Sequence, residues 1–322
     1  MALSAPTGLG FAGVGWLGEA LIKDLPGFPQ LRLAAVQDAH PQLAREVGAR
    51  HAAERVFESY EALLAEPGVD AVVICTPNAF HGPQARAALE AGKHVLVQKP
   101  LALSAMDAVQ TVRAAVRANR VLFVDYSYRF LETTGLLRTA LARIGRPRSL
   151  RAAFRNIYGP GKAWFFDPAL SGGGALTDLG VHLIDLALAL LQPRSAVLEW
   201  ARLGYTGGHP VEDAAELQVR LDQVPLRLAV SWNEPRPLTD ISLEITGDAG
   251  VLRWENVDGS FFRFRTTLNG ESLLEQETTL RADTLRAFAR ALEAPVEMPV
   301  PDPRVYALVE AAYREASSEH TR

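Results

Sequence analysis

The stretch Gly13-Val14-Gly15-Trp16-Leu17-Gly18 limits what this chain can fold into more than any other, because of what flanks it. An apolar run, Thr7 to Ala12, leads into it, and a helical pattern follows to about Leu25. A second apolar run, Leu31 to Asp38, then ends in an acid 20 residues after Gly18. Strand, glycine turn, helix and strand make a βαβ unit, which commits the first part of the chain to a parallel sheet. The same spacing carries chemistry. Glycines let backbone N–H groups reach a pyrophosphate, the helix N-terminus adds positive potential, and an acid closing the second strand accepts ribose hydroxyls. The reading is a dinucleotide site built from Gly13, Gly15, Trp16, Leu17, Gly18 and Asp38, the alternative being a purely structural glycine turn. A carboxylate at Asp38 repels a 2′-phosphate and so favours NAD over NADP, a preference that His40 beside it softens.

The alternation continues downstream. Helical patterns at Pro41 to Val47 and Tyr60 to Ala65 enclose a short strand near Arg55 to Phe57, and Ala71 to Thr76 reads as a fully buried parallel strand. Thr76, Pro77, Asn78 and His81 follow it and open a helix to about Ala91. The strand His94 to Gln98 ends in Lys99 and Pro100. Ser104 then caps a helix from Ala105 to Ala118, and Val121 to Tyr126 closes the series. Loops at the carboxyl ends of such strands line the ligand crevice, which places Asn78, His81 and Lys99 there. Pro100 stiffens the loop behind Lys99, so its ammonium is aimed to stabilise a developing alkoxide; the alternative is an ordinary surface lysine.

A chain of 322 residues is too long for one ordinary core and suits two domains, here 1–126 and 127–322. A net charge of −4 with dispersed Lys and Arg excludes a nucleic-acid footprint. The single cysteine, Cys75, rules out an internal disulfide and fits a reducing cytoplasm. The first eighteen residues carry no charge, but Pro6 and the glycines interrupt them and no basic leader precedes them. A soluble, unexported, cytoplasmic protein with no membrane partner is expected. The histidines are scattered and nothing has ligand spacing with cysteine, so no metal site is expected.

After Tyr126 the alternation gives way to strands in succession. Arg129 either grips substrate oxygens or pairs with an acid. A helix is expected over Leu131 to Arg143, a strand over Ser149 to Ile157, then an aromatic loop with Tyr158, Trp164, Phe165 and Phe166. Tyr158 and Trp164 are candidates to stack on a sugar ring, and such aromatics also serve as plugs. Next comes Ser171 to Asp185, where Gly172 to Gly174 precede a helix carrying Asp178, His182 and Asp185 at spacings of four and three. On a 3.6-residue helix these share a stripe, and a carboxylate beside an imidazole is an acid/base pair. A polar face with a buried, satisfied histidine gives the same spacing. Six strand-length runs follow: Ala196 to Leu203, Ala215 to Leu221, Arg227 to Trp232, Ile241 to Thr246, Val251 to Glu255 and Ser260 to Thr266. Helices near Asp283 to Leu292 and Arg304 to Ser317 end the chain.

In order, GVGWLG, Asp38, CTPNAFHGPQARAALEAGKHVLVQKPLA, GRPRSLRAAF and WFFDPALSGGGALTDLGVHLIDL resemble the family named for glucose-fructose oxidoreductase, inositol dehydrogenase and a rhizopine-catabolism protein (Gfo/Idh/MocA). The resemblance implies an α/β fold: an N-terminal Rossmann doubly wound parallel sheet and a C-terminal α+β domain with an open, mostly antiparallel sheet, often buried in a dimer or tetramer. It implies a homo-oligomeric NAD(P)-dependent oxidoreductase transferring hydride between a secondary alcohol of a sugar or inositol-like polyol and nicotinamide. Lys99, Asp178 and His182 would be the catalytic trio, and Thr76, Pro77, Asn78, His81 and Gln98 would line the nicotinamide side. One departure stands out. Gln98 occupies the place of a usual glutamate before Lys99, which removes a partner for the ammonium. Two other classes stay open: a glycoside hydrolase that oxidises transiently with bound NAD, and a cofactor-binding sensor without turnover.

Overall fold

In the computed structural model, which describes residues 5–157, 159–234, 239–294 and 300–319, short apolar runs of the first 125 residues become parallel strands. They are β1 (Thr7–Ala12), β2 (Leu31–Gln37), β3 (Arg55–Phe57), β4 (Ala71–Ile74), β5 (His94–Gln98) and β6 (Leu122–Asp125). Their order in the sheet is β3-β2-β1-β4-β5-β6. This is the doubly wound order, and its switch point falls between β1 and β4. Every residue of β4 is buried, as a strand covered by helices on both faces requires. The crossovers are α1 (Trp16–Asp24), α2 (Pro41–Arg50), α3 (Tyr60–Ala65), α4 (Asn78–Glu90) and α5 (Ala105–Ala118). Ser59 and Ser104 cap α3 and α5 by accepting the N–H groups of Ala62 and Asp107.

The second unit begins at Tyr126 and carries α6 (Glu132–Ala140), β7 (Pro147–Arg155), the one-turn α7 (Pro168–Ser171) and α8 (Val181–Leu191). Seven further strands follow: β8 (Ala196–Gly204), β9 (Ala214–Leu221), β10 (Val224–Ser231), β11 (Asp240–Gly247), β12 (Val251–Asn256), β13 (Arg263–Leu268) and β14 (Glu271–Glu277). The sheet order is β14-β13-β12-β11-β7-β10-β9-β8. Strands β10 and β7 run parallel; the other neighbours are antiparallel. Alternation gives it two unlike faces. In β9 and β11, Ala215, Leu217, Val219, Ile241, Leu243 and Ile245 are buried, while Glu216, Gln218 and Glu244 point the other way. On the apolar side Trp254 stacks on Phe264 at 4.8 Å and donates its indole N–H to Thr133 of α6. The segment Pro168–Leu191 is long and apolar enough to cross a membrane, but 83% of its apolar 18-residue stretch is buried within the fold, as befits a core helix.

Three sequence expectations are revised. The helix α9 (Arg281–Glu293) belongs to the first unit, so the unit contributed by residues beyond 126 is not continuous to the C-terminus. Phe288 meets Phe123 edge-on at 5.6 Å, Thr284 donates to Asp125 at 2.6 Å, and Arg281 pairs with Asp24 at 2.9 Å. The last expected strand, Ser260 to Thr266, runs instead as Arg263–Leu268, and β14 was not anticipated. The helix after the glycine cluster does not start as a regular α-helix; Leu176–Gly180 forms a wider, π-helical turn before α8 (Val181–Leu191). The terminal helix is α10 (Arg304–Glu319).

Candidate active site

In the first unit the glycine turn is packed as tightly as its composition demands. Gly13 has φ of 83°, and a Cβ there would lie 2.8 Å from the backbone of Cys75. A Cβ on Gly18 would lie 2.2 Å from the Gly13 carbonyl. Helix α1 starts at Trp16 with Gly15 at its N-cap and no side-chain cap, so its first N–H groups face outward for an anion. Leu17 follows in the first turn, and Trp16 is 71% exposed. Asp38 lies across the turn, accepting the Val14 N–H and the His40 N–H, both at 2.9 Å. A cradle that only glycine fits, an uncapped helix start and a carboxylate at the strand end match the parts that hold a dinucleotide.

The loops after β4 and β5 are braced by His81. Its ring nitrogens sit 2.7 Å from the carbonyl oxygens of Pro100 and Thr76, and burial pushes its pKa below the usual histidine range. His81 is therefore a buried strut joining the two loops, while Thr76 donates to Gln84 at 2.7 Å. Pro77 caps α4, whose first residue Asn78 is buried. Lys99 is half-buried and its bond to Pro100 is cis. Gln98, expected beside the cofactor, turns into the core. Its amide donates to Asp125 Oδ2 at 2.6 Å, and Asp125 Oδ1 accepts from Thr284. Gln98 and Asp125 are paired across β5 and β6, so a glutamate at position 98 would set a second carboxylate against Asp125.

In the second unit the glycine run is held by residues that the sequence did not single out. Glu212, 1% exposed, accepts the N–H groups of Gly174 and Leu176 and the hydroxyl of Tyr313, each at 2.9 Å. Burial raises its carboxyl above the ordinary range, against the pull of those donors. A Cβ on Gly174 would lie 1.8 Å from the Glu212 carbonyl, so the run presses directly on this segment. Tyr313 also shares a hydrogen bond with Thr177 at 2.9 Å.

Beyond this tether lie the expected acid/base residues. The ring of His182, 8% exposed, meets Tyr128 edge-on at 5.1 Å and Tyr126 at 6.1 Å. Asp178, in the wide turn, accepts the indole N–H of Trp232 at 3.1 Å. Of the two readings open for Arg129, pairing with an acid is the one realised: its Nη1 lies 2.9 Å from Asp185 Oδ1. Burial raises the Asp185 carboxyl to about 7 even so, and its Oδ2 has no hydrogen-bond partner among the described residues. Trp164 stacks on Phe165 at 4.0 Å. Phe166 stacks on His209 at 3.9 Å and meets Trp232 at 6.1 Å. Tyr158 lies outside the described residues. Only the alternating pattern ending at Trp232 pointed toward any of Glu212, Tyr313, His209 and Trp232, since none sits in a chemical motif.

Two family models match the chain. The oxidoreductase family GFO_IDH_MocA, NAD-binding Rossmann fold, covers residues 7–126, and the GFO/IDH/MocA C-terminal domain covers residues 138–253. The chain is 39% identical over 264 residues to 1,5-anhydro-D-fructose reductase of Ensifer adhaerens, covering 77% of this chain and 78% of that protein. It is 30% identical over 205 residues to levoglucosan dehydrogenase of Pseudarthrobacter phenanthrenivorans, covering 59% of this chain and 52% of that protein, so the match spans about half of that relative's length. The crystal structure of GenD2 from gentamicin A biosynthesis, in complex with NAD, superposes with a TM-score of 0.86 at 27% identity, over 99% of this chain and 96% of that one.

Proposed function

The chain belongs to the Gfo/Idh/MocA oxidoreductase family, and from that premise we propose that it exchanges hydride between a secondary alcohol of a sugar or polyol and NAD. The observation that carries this reading is the His182 imidazole, walled by the Tyr128 and Tyr126 rings, on a helix whose entering turn bears Asp178 and is tethered through Gly174 to Glu212. Such a wall excludes water from an acid/base group, and a tethered turn keeps its carboxylate in register.

Gly13, Gly15, Trp16, Leu17, Gly18 and Asp38 would hold the dinucleotide, with Asp38 selecting NAD by repelling a 2′-phosphate. Thr76, Pro77 and Asn78 would border its nicotinamide, with His81 bracing their loop from behind. Bound NAD supplies the acceptor for hydride. His182 takes the hydroxyl proton, Asp178 orients the imidazole, and the Lys99 ammonium stabilises the oxygen as charge develops. Trp164 offers a ring face to the substrate. The charged outer face of the second sheet, with Arg151, Arg155, Glu216 and Glu244 among its residues, would meet a second copy in a homo-dimer or homo-tetramer, and a single cysteine suits the cytoplasm.

The test is a panel of sugars, anhydrosugars and inositols with NAD or NADP, followed by absorbance of the reduced nicotinamide. Turnover should appear with NAD and fall by at least about a thousandfold in His182→Asn, with NAD affinity within about twofold of the unmodified protein. Unchanged turnover in that variant removes His182 as the base. Cleavage of glycosides without net NADH replaces the dehydrogenase reading with the hydrolase one.

A further inference from the structure

Trp232 follows directly on β10 (Val224–Ser231), and at 5% exposure its ring is nearly buried. Two contacts fix it, and a third braces one of them. Its backbone N–H donates to the Asp213 carbonyl at 2.8 Å, its ring meets Phe166 edge-on at 6.1 Å, and Phe166 is in turn stacked on His209 at 3.9 Å. Its indole N–H then reaches Asp178 Oδ2 at 3.1 Å. We propose that Trp232 is a positioning residue for the reaction, holding one oxygen of Asp178 so that the carboxylate stays oriented for its work with His182.

The chemistry favours an indole in that place. An indole N–H only donates, so it cannot turn around and compete as an acceptor, as a hydroxyl or amide can. It carries no charge that would neutralise the carboxylate, and a hydrogen bond to the charged form favours that form. The bond spans 54 residues, joining a sheet strand to the wide turn, so it ties the acid to the rigid sheet as well as to its own helix. Among the described residues, Tyr128 faces the Asp178 charge, which together with burial pushes its phenol up; His182 lies four residues on, Glu212 holds the preceding N–H groups of Gly174 and Leu176, and His209 stacks on the Phe166 ring that Trp232 meets.

This inference rests on Asp178 and His182 being the acid/base pair, and its test has one arm that needs no turnover. In protein labelled with ¹⁵N-tryptophan, the Trp232 indole resonance, assigned by its loss in Trp232→Phe, should move when Asp178→Asn replaces the charged acceptor and its N–H should exchange faster with solvent in Asp178→Ala. A resonance and an exchange rate that stay the same in both variants overturn the proposal whatever the enzyme does. In the kinetic arm, Trp232→Phe should lower kcat about tenfold, as expected for losing one hydrogen bond to a charged group. It should also move the acid limb of the kcat profile to higher pH and leave NAD affinity unchanged. In the Asp178→Asn background the same change should have no further effect; an equal loss there means Trp232 acts elsewhere. Should the phenylalanine variant fold poorly, benzothienylalanine at position 232 keeps the ring volume and lacks the N–H. It should reproduce the loss, and full activity would reduce Trp232 to packing. If no polyol is turned over at all, the proposed reaction fails while the resonance still decides the bond.

Discussion

At the scale of single residues, side chains that looked alike in the sequence are sorted by what surrounds them. Gln98 seemed a weakened partner for Lys99, yet its amide is committed to Asp125, which also accepts from Thr284. Gln98→Glu should therefore destabilise the protein by about 3 kcal/mol, because it faces one buried carboxylate with another. Adding Asp125→Asn should restore most of the loss; denaturant unfolding measures both. Asp185 illustrates a different balance. Burial raises its carboxyl from an ordinary 3.8 to about 7 in the folded chain, so the native state holds this proton through a range where the unfolded chain has released it. Stability from this group is present in acid and falls as pH rises from about 4 to 7. Asp185→Asn should flatten that part of a stability-against-pH curve, and an unaltered slope would remove Asp185 as its source. Lys99 and His182 were visible from motif spacing. The partners that orient such groups were not, since a hydrogen bond spanning 54 residues, as between Trp232 and Asp178, leaves no local signature.

At the scale of elements, two glycines test different constraints. Gly174 has no room, because an added Cβ would lie 1.8 Å from the Glu212 carbonyl. Gly174→Ala should displace the turn carrying Asp178, lowering stability by about 3 kcal/mol and activity with it. Gly270 has open space around it but a φ of 85°, so Gly270→Ala should lower stability by only about 1 kcal/mol and leave activity intact. Thermal unfolding beside turnover separates the two. The turn at Gly270 leads into β14, which lacks the usual strand signature. That strand, Glu271–Glu277, lies at the sheet edge with a largely exposed pattern, so it shows no apolar alternation. The signal was in the turn: Asn269 and Gly270 both have positive φ and join β13 to β14 as the Asn-Gly pair of a two-residue hairpin. The parallel strands and most of their helices were legible because burial on both faces writes a continuous apolar run. The wide turn at Leu176–Gly180 was not, since the residues suit a regular helix and the tether to Glu212 shapes its start.

At the scale of the whole molecule, the chain order and the folded units differ. Helix α9 lies more than 150 residues from β6 in sequence, yet Thr284 and Phe288 complete the core around Asp125 and Phe123. A fragment ending at residue 126 should therefore lack cooperative unfolding, and linking residues 281–301 to it should restore a sharp transition by calorimetry; a fragment already cooperative without them would show that α9 is dispensable. The sequence alone determined the parallel-sheet unit, the glycine turn with Asp38, and the positions of Lys99, Asp178 and His182, because periodicity and short spacings are local properties of a chain. Tertiary structure alone decided that α9 joins the first unit, that Gln98 serves Asp125, and that Glu212 and Trp232 hold the turn bearing Asp178. Those pairings depend on which distant segments are brought within about 3 Å of one another, and only packing against a shared core does that.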